Sequence, residues 1–298
     1  MDENKPRLIV LPLQPGQNEP YDGIGLGVHF LLGNIVAAHP AFKEFWFGWR
    51  IKKIFLEKNR LAAYCRGEDP LLDITTLGKE QKIRYWLHGR VQQHRNEMKI
   101  SLVLTDSRGE SEDQTAELIL DPADHLIRFH KAFLAWLDAC GFPAPVAQPA
   151  ATIWPEKTTI SSLDLLGQDL ETYYLRSSWG DDGLLDPELS DPGLSDSGLF
   201  DPAVSTAPSS YLAHDLKGWV LYKNKRYKAA DESFRSAINI NATGIGAMSG
   251  RMWCAVYTND KESAYKWATA KADIRGESRE GARAGVDKRM KKAWAQTG

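Results

Sequence analysis

Residues 186–205 read DPELS, DPGLS, DSGLF, DPAVS, one pentad written four times. Each copy opens on Asp and carries an apolar residue at its fourth place. Asp182-Gly183-Leu184-Leu185, just upstream, resembles a worn earlier copy. Pro187, Pro192, Pro202 and Pro208 fix φ and remove backbone donors, so neither a helix nor a central strand can run through the stretch. The chain therefore reads as two ordered parts joined by this segment.

The charge map divides at the same place. No Lys or Arg falls between Arg176 and Lys217. Residues 1–180 hold 20 basic and 23 acidic side chains, residues 181–210 hold none and seven, and residues 211–298 hold 17 and nine. The formal net charge of −2 hides this contrast. An EF-hand loop spaces its oxygen ligands two residues apart and closes with Glu at about position 12. Here single Asp residues recur every fifth position, so 181–210 reads as an acidic Asp/Pro/Gly/Ser linker and not as a metal loop. Leu189, Leu194, Leu199 and Phe200 leave a second reading: an acidic segment with regular apolar residues can dock on the basic half that follows.

At 298 residues the chain admits one large domain or two of about 150 each. A 43% hydrophobic composition with ten Trp suffices for packed cores. MDENKPRLIVLPL lacks the apolar run and small-residue cleavage site of a signal peptide. No stretch reaches the roughly 18 apolar residues of a transmembrane helix. Cys65, Cys140 and Cys254 lie far apart with no CxxC, which fits a reducing compartment better than a disulfide framework or zinc site. The expectation is a soluble cytoplasmic protein without a membrane partner.

In the C-terminal part, Leu212, Leu216, Trp219 and Val220 keep helical spacing, as do Ala230, Phe234 and Ala237. Lys223-Asn224-Lys225-Arg226 separates the two runs, and so short a turn requires antiparallel packing. Gly218 permits close approach, with Ala230 as the small surface opposite. Gly218, Leu221, Tyr227, Ala230, Phe234 and Ala237 sit at the spacings of a tetratricopeptide repeat (TPR), which this hairpin resembles. His214 and Lys217 depart from that pattern, since large residues usually stand there. A second, weaker copy spans 245–278, with Ala255, Ala264 and Ala268 at the small positions and Met252 in place of the glycine. Residues 279–295 supply a capping helix. The TPR resemblance implies a concave groove for a peptide or helix. Lys217, Arg226, Lys228 and Arg251 make it basic, so the expected partner is a protein with an acidic segment. The basic tail around Lys288 to Lys292 lacks a recognised nucleic-acid fold, and nucleic acid is not the expected partner.

In the N-terminal part, Arg7 to Gln14 reads as a buried strand and Gly23 to Ala38 as a helix with Ile24, Val28, Leu31, Leu32 and Ile35 on one side. Phe45 to Phe55 reads as strand. Lys82–Val91 and Met98–Leu104 form a hairpin, and Thr115–Leu120 a further strand. Asp121-Pro122 opens a helix with buried Leu126, Phe129, Phe133 and Leu137, which Gly141 ends. This order resembles the N-terminal domain of TolB and its TolB-like relatives. The matching residues are Val10-Leu11-Pro12-Leu13, Tyr21-Asp22-Gly23-Ile24 and Tyr85-Trp86-Leu87-His88-Gly89-Arg90-Val91. In such relatives the domain often precedes TPR repeats, an order this chain shares. The adenylate-cyclase or winged-helix pattern that often accompanies it is missing here, so the resemblance implies an output through a partner.

The expected class is α+β: a TolB N-terminal-like mixed-sheet α/β domain over 1–145, a connecting segment with a helix over 146–180, the linker, and a short TPR-type solenoid over 211–298. No GxSxG, P-loop or HExxH appears, so no catalytic residue, cofactor or metal is assigned. Gly23, Gly25 and Gly27 have the spacing GxGxG, not GxGxxG, and read first as close helix–sheet packing. Their helix start is nevertheless a candidate site for an anionic ligand. The leading functional expectation is a non-enzymatic adaptor. The alternative is a sensory module whose α/β domain binds a small ligand at this helix start.

Overall fold

The computed structural model describes residues 5–16, 23–43, 55, 58–68, 82–94, 97–121, 126–143, 160–176, 204 and 210–295. Strands β1 (Leu8–Val10) and β2 (Gln14–Pro15) both pair in parallel with β3 (Tyr85–His94). β3 runs antiparallel to β4 (Glu97–Asp106), which pairs antiparallel with β5 (Gln114–Leu120). The result is a five-stranded mixed sheet in the order β1-β3-β4-β5, with β2 continuing beside β3. Alternation along β4 sets its faces: Met98, Ile100, Leu102 and Leu104 are buried, while Lys99, Ser101 and Val103 are half-buried.

Helix α1 (Ile24–Ala38) follows β2, and α2 (Lys58–Cys65) precedes β3. The strand expected over Phe45 to Phe55 lies outside the described residues except for Phe55, which is helical. Helix α3 (Ile127–Ala139) packs on β5 through Phe129, Phe133 and Leu137. Residues 122–125, where Asp121-Pro122 opens the expected helix, lie outside the described residues. Leu126, at φ 61°, holds the N-cap position of α3, and Gly141, at φ 90°, follows its end. Helix α4 (Ile160–Arg176) lies along α1.

Five helices complete the chain: α5 (Tyr211–Lys223), α6 (Tyr227–Ile240), α7 (Ile245–Tyr257), α8 (Lys261–Arg275) and α9 (Arg279–Trp294). Their boundaries are set locally. Ser210, Asp260 and Ser278 cap α5, α8 and α9 by accepting from the backbone N–H of Ala213, Ser263 and Gly281. Gly276, left-handed at φ 62°, closes α8. Each helix packs on the next, and α5 also touches α7, as α7 touches α9. This is a succession of helical hairpins.

The two parts are not independent beads. Helix α1 is apolar on every side and buried along its length except at Ala38, as a helix covered all round must be. β1, α4 and α7 all pack on it. One hydrophobic cluster runs from Leu8 and Ile9 through α1 to Tyr211, Phe234 and Ala247. A smaller one, with Met252, Val256, Ala264, Ala268 and Val286, joins α7, α8 and α9. Helix α1 is a shared apolar wall between the sheet and the helical hairpins. Among the described residues, no helix is long and apolar enough to cross a membrane.

Candidate partner-binding groove

The hairpin α5–α6 has two sides with different chemistry. On the inner side, Gly218, Ala230, Phe234 and Ala237 are buried, with Leu221, also buried, at the edge between the two sides, and Tyr227 packs at the turn against Tyr222 and Tyr257. The Phe234 ring is the centre of this contact. A Cβ placed on Gly218 of α5 would meet it, and so would a Cβ on Gly250 of α7. Trp219 stands edge-on to the same ring at 5.3 Å. On α7, Gly250 faces back to Phe234 of the first hairpin, while Met252, at the position 34 residues after Gly218, joins the smaller cluster with Ala268, 34 residues after Phe234.

On the other side, His214, Lys217 and Leu221 stand at i, i+3 and i+7 along α5 and so share a stripe. Ala229, Ser233 and Ser236 form the matching stripe on α6, and their small side chains lower the floor between the helices. The result is a groove of about 300 Å³, lined by these six with Arg226, Glu232 and Val204. It carries two fixed cations, one carboxylate and an imidazole at its rim, over apolar Leu221 and Ala229. Such a surface suits a short segment that has a carboxylate and an aliphatic side chain.

Of the four basic residues singled out in the sequence, Lys217 and Arg226 come together here. Lys228 is exposed on α6, outside the lining. Arg251 is elsewhere and engaged. Its Nε and Nη2 donate to Asp231 Oδ1 and Oδ2 at 2.7 and 2.8 Å, and its guanidinium lies 4.3 Å from the Trp267 ring centre. It fastens α7 to α6 and α8.

The glycines of the candidate anion site are filled from within the chain. Gly23 N–H donates to Asp164 Oδ1 at 3.0 Å, and Gln168 Nε2 holds the same oxygen at 3.0 Å. A carboxylate from α4 therefore already sits at the start of α1, where the helix dipole favours it. A Cβ on Gly25 would meet the Leu13 carbonyl, and one on Gly27 the Leu163 carbonyl. Gly167 of α4 approaches Gly23 equally closely. These glycines permit backbone-to-backbone contact of α1 with β2's approach and with α4.

Two charged groups at the junction escaped sequence reasoning. Asp215 continues the lysine-free acidic run in the sequence, yet it is fully buried. It lies where Gly246 makes room for both its carboxyl and the Asn34 side chain. Burial pushes its carboxyl well above the usual carboxylate range. Arg275, also buried, crosses from α8 to the N-terminal part. Its guanidinium donates to the Ala37 and Phe42 carbonyls and to Glu277.

A cleft of about 400 Å³ beside β3 and β4 holds Arg84, Asp106, Glu110 and Cys140. Its charges pair with one another, Arg84 with Asp106 at 3.3 Å and with Glu110 at 2.9 Å. Burial pushes the His29 imidazole down to about 3, and His39 and His130 to about 4. It pushes the Cys65 and Cys254 thiols up to about 12. All five side chains are buried. Among the described residues, no group of three or more His, Cys, Asp and Glu could hold a metal ion.

No family model matches the chain, and a search of the curated proteins finds no match.

Proposed function

We propose that the protein is a non-enzymatic adaptor of the cytoplasm that holds an acidic segment of a protein partner in the groove of α5 and α6. The observation that supports this reading is the convergence of Lys217 and Arg226 on one groove that also holds apolar Val204, Leu221 and Ala229. In this reading α5 to α9 are a short TPR-type array and the mixed-sheet part is a TolB N-terminal-like domain. The sheet part buttresses the array through α1. The sensory alternative took its ligand site from Gly23 to Gly27, where Asp164 and the α4 backbone sit. Nothing in the geometry favours it over the adaptor.

Capture tests the proposal. The intact chain, immobilised at low salt, should retain a protein that Lys217→Glu with Arg226→Glu retains at least ten-fold less. About 0.5 M salt should release it, because screening at that strength acts within a few ångströms. Equal retention by both chains would place the interface elsewhere and end this reading.

A further inference from the structure

Val204, which lines the groove, is the fourth residue of the fourth pentad. The equivalent residue in the other three copies is Leu189, Leu194 or Leu199, one methylene larger. Each stands three residues after an Asp. Val204 is helical, and on a helix residues three apart share a face, so an Asp and an aliphatic residue at this spacing can be presented together. Val204, Leu221, Ala229, Lys217 and Arg226 share this lining.

We propose that this groove is a docking site for the pentad pattern, Asp followed three residues later by an aliphatic side chain, and that its occupant is the chain's own segment 186–204. Three observations lead there. The pentad's apolar position already forms part of the lining. The charges are complementary, seven acids and no base over 181–210 against 17 bases and nine acids over 211–298. The connection is short, since only residues 205–209 separate Val204 from the Ser210 cap of α5. A short tether gives an effective concentration in the millimolar range, so a contact too weak to persist between molecules is well populated within one. Four copies offer four interchangeable registers. Leu buries about one more CH₂ than Val, which favours the first three copies on the floor.

For the adaptor, the consequence is a threshold. A partner segment has to carry the same chemistry and displace an internal copy. This consequence rests on the proposed function; the docking does not.

The test uses a fluorescent peptide of residues 186–205 titrated against the full chain, read by anisotropy. In a second chain, Leu189, Leu194, Leu199 and Val204 are all changed to Ser, leaving every Asp in place. The four-Ser chain should bind the peptide at least ten-fold more tightly than the unaltered chain. Adding Lys217→Glu and Arg226→Glu to the four-Ser chain should remove that binding. Thermal melts within a few degrees of the unaltered chain verify that the variants are folded; as a milder pair, Lys217→Ala with Arg226→Ala should weaken binding in the same direction. Equal affinity of the unaltered and four-Ser chains overturns the proposal, whether both bind or neither does. Binding that survives the loss of both cations overturns it too. No outside partner enters the titration, so its failure and a failure of capture are read separately.

Discussion

Replacing Arg275 with Met should destabilise the protein by about 3–5 kcal/mol, the cost of removing one member of a buried charged network. The guanidinium is fully buried and reaches across more than two hundred residues of sequence. It donates to Phe42 O at 2.8 Å, to Ala37 O, and to Glu277 Oε1 at 2.9 Å. Met fills similar volume but leaves two buried carbonyls and a half-buried carboxylate without their donor. Hydrogen bonds to a charged group contribute about 1.5–3 kcal/mol each, so two of them account for the magnitude. In a chain of this size the melting temperature should fall by about 10 °C, at roughly 2–4 °C per kcal/mol. Arg279, in the next helix, is the control. It pairs bidentately with Asp273, but its side chain is 71% exposed. Arg279→Met should cost less than about 1 kcal/mol, as exposed pairs do. Calorimetry on the two variants decides. Equal losses would mean that Arg275 does not join the helical part to α1.

Phe234→Ala should cost about 3–5 kcal/mol, the range for a fully buried aromatic ring cut to a methyl. The ring is 0% exposed and fills the space between Gly218 and Gly250. Its loss opens a cavity bordered by three helices. Gly218→Ala in the native background should also destabilise, by roughly 1–3 kcal/mol, because its Cβ would overlap the ring. Combined, the two changes should not add: with the ring gone, the new methyl occupies part of the cavity. A double-mutant cycle by urea denaturation should give a coupling of at least about 1 kcal/mol. Strict additivity would show that ring and glycine are not the close pair described here.

Where an element depends on near neighbours, its residues announce it. The periodicity of Ile24 to Ile35 marks α1, and the alternation of Met98 to Leu104 marks β4 with its buried face. Leu212 to Val220 and Ala230 to Ala237 mark a helical hairpin with a close contact. Pairings across the chain leave no such trace. Gly250, which the repeat spacing does not mark, reaches back from α7 to Phe234, a contact that depends on how neighbouring hairpins are rotated. Asp215 looks like one more acid in an acidic run until the fold buries it beside Asn34 and Gly246. Arg275 looks like a surface residue, since its acceptors, the Ala37 and Phe42 carbonyls, are backbone atoms that any sequence supplies. The candidate groove was half visible. Spacing along α5 and α6 places Lys217 and Arg226 near one hairpin, but Arg251 is drawn away by Asp231 and Trp267, a pairing no local pattern encodes.

The central claim is that the groove recruits an acidic segment by charge. It is tested most directly by the association rate of a captured partner, measured by stopped flow from about 0.05 to 0.5 M salt, with and without Lys217→Glu and Arg226→Glu. Electrostatic steering acts over a Debye length of about 10 Å at 0.1 M salt and shortens as salt rises. The intact chain should therefore associate at least several-fold more slowly at the high end, whereas the charge-reversed chain should be slow at low salt and nearly insensitive to its concentration. Identical rates and identical salt slopes for the two chains would contradict the claim.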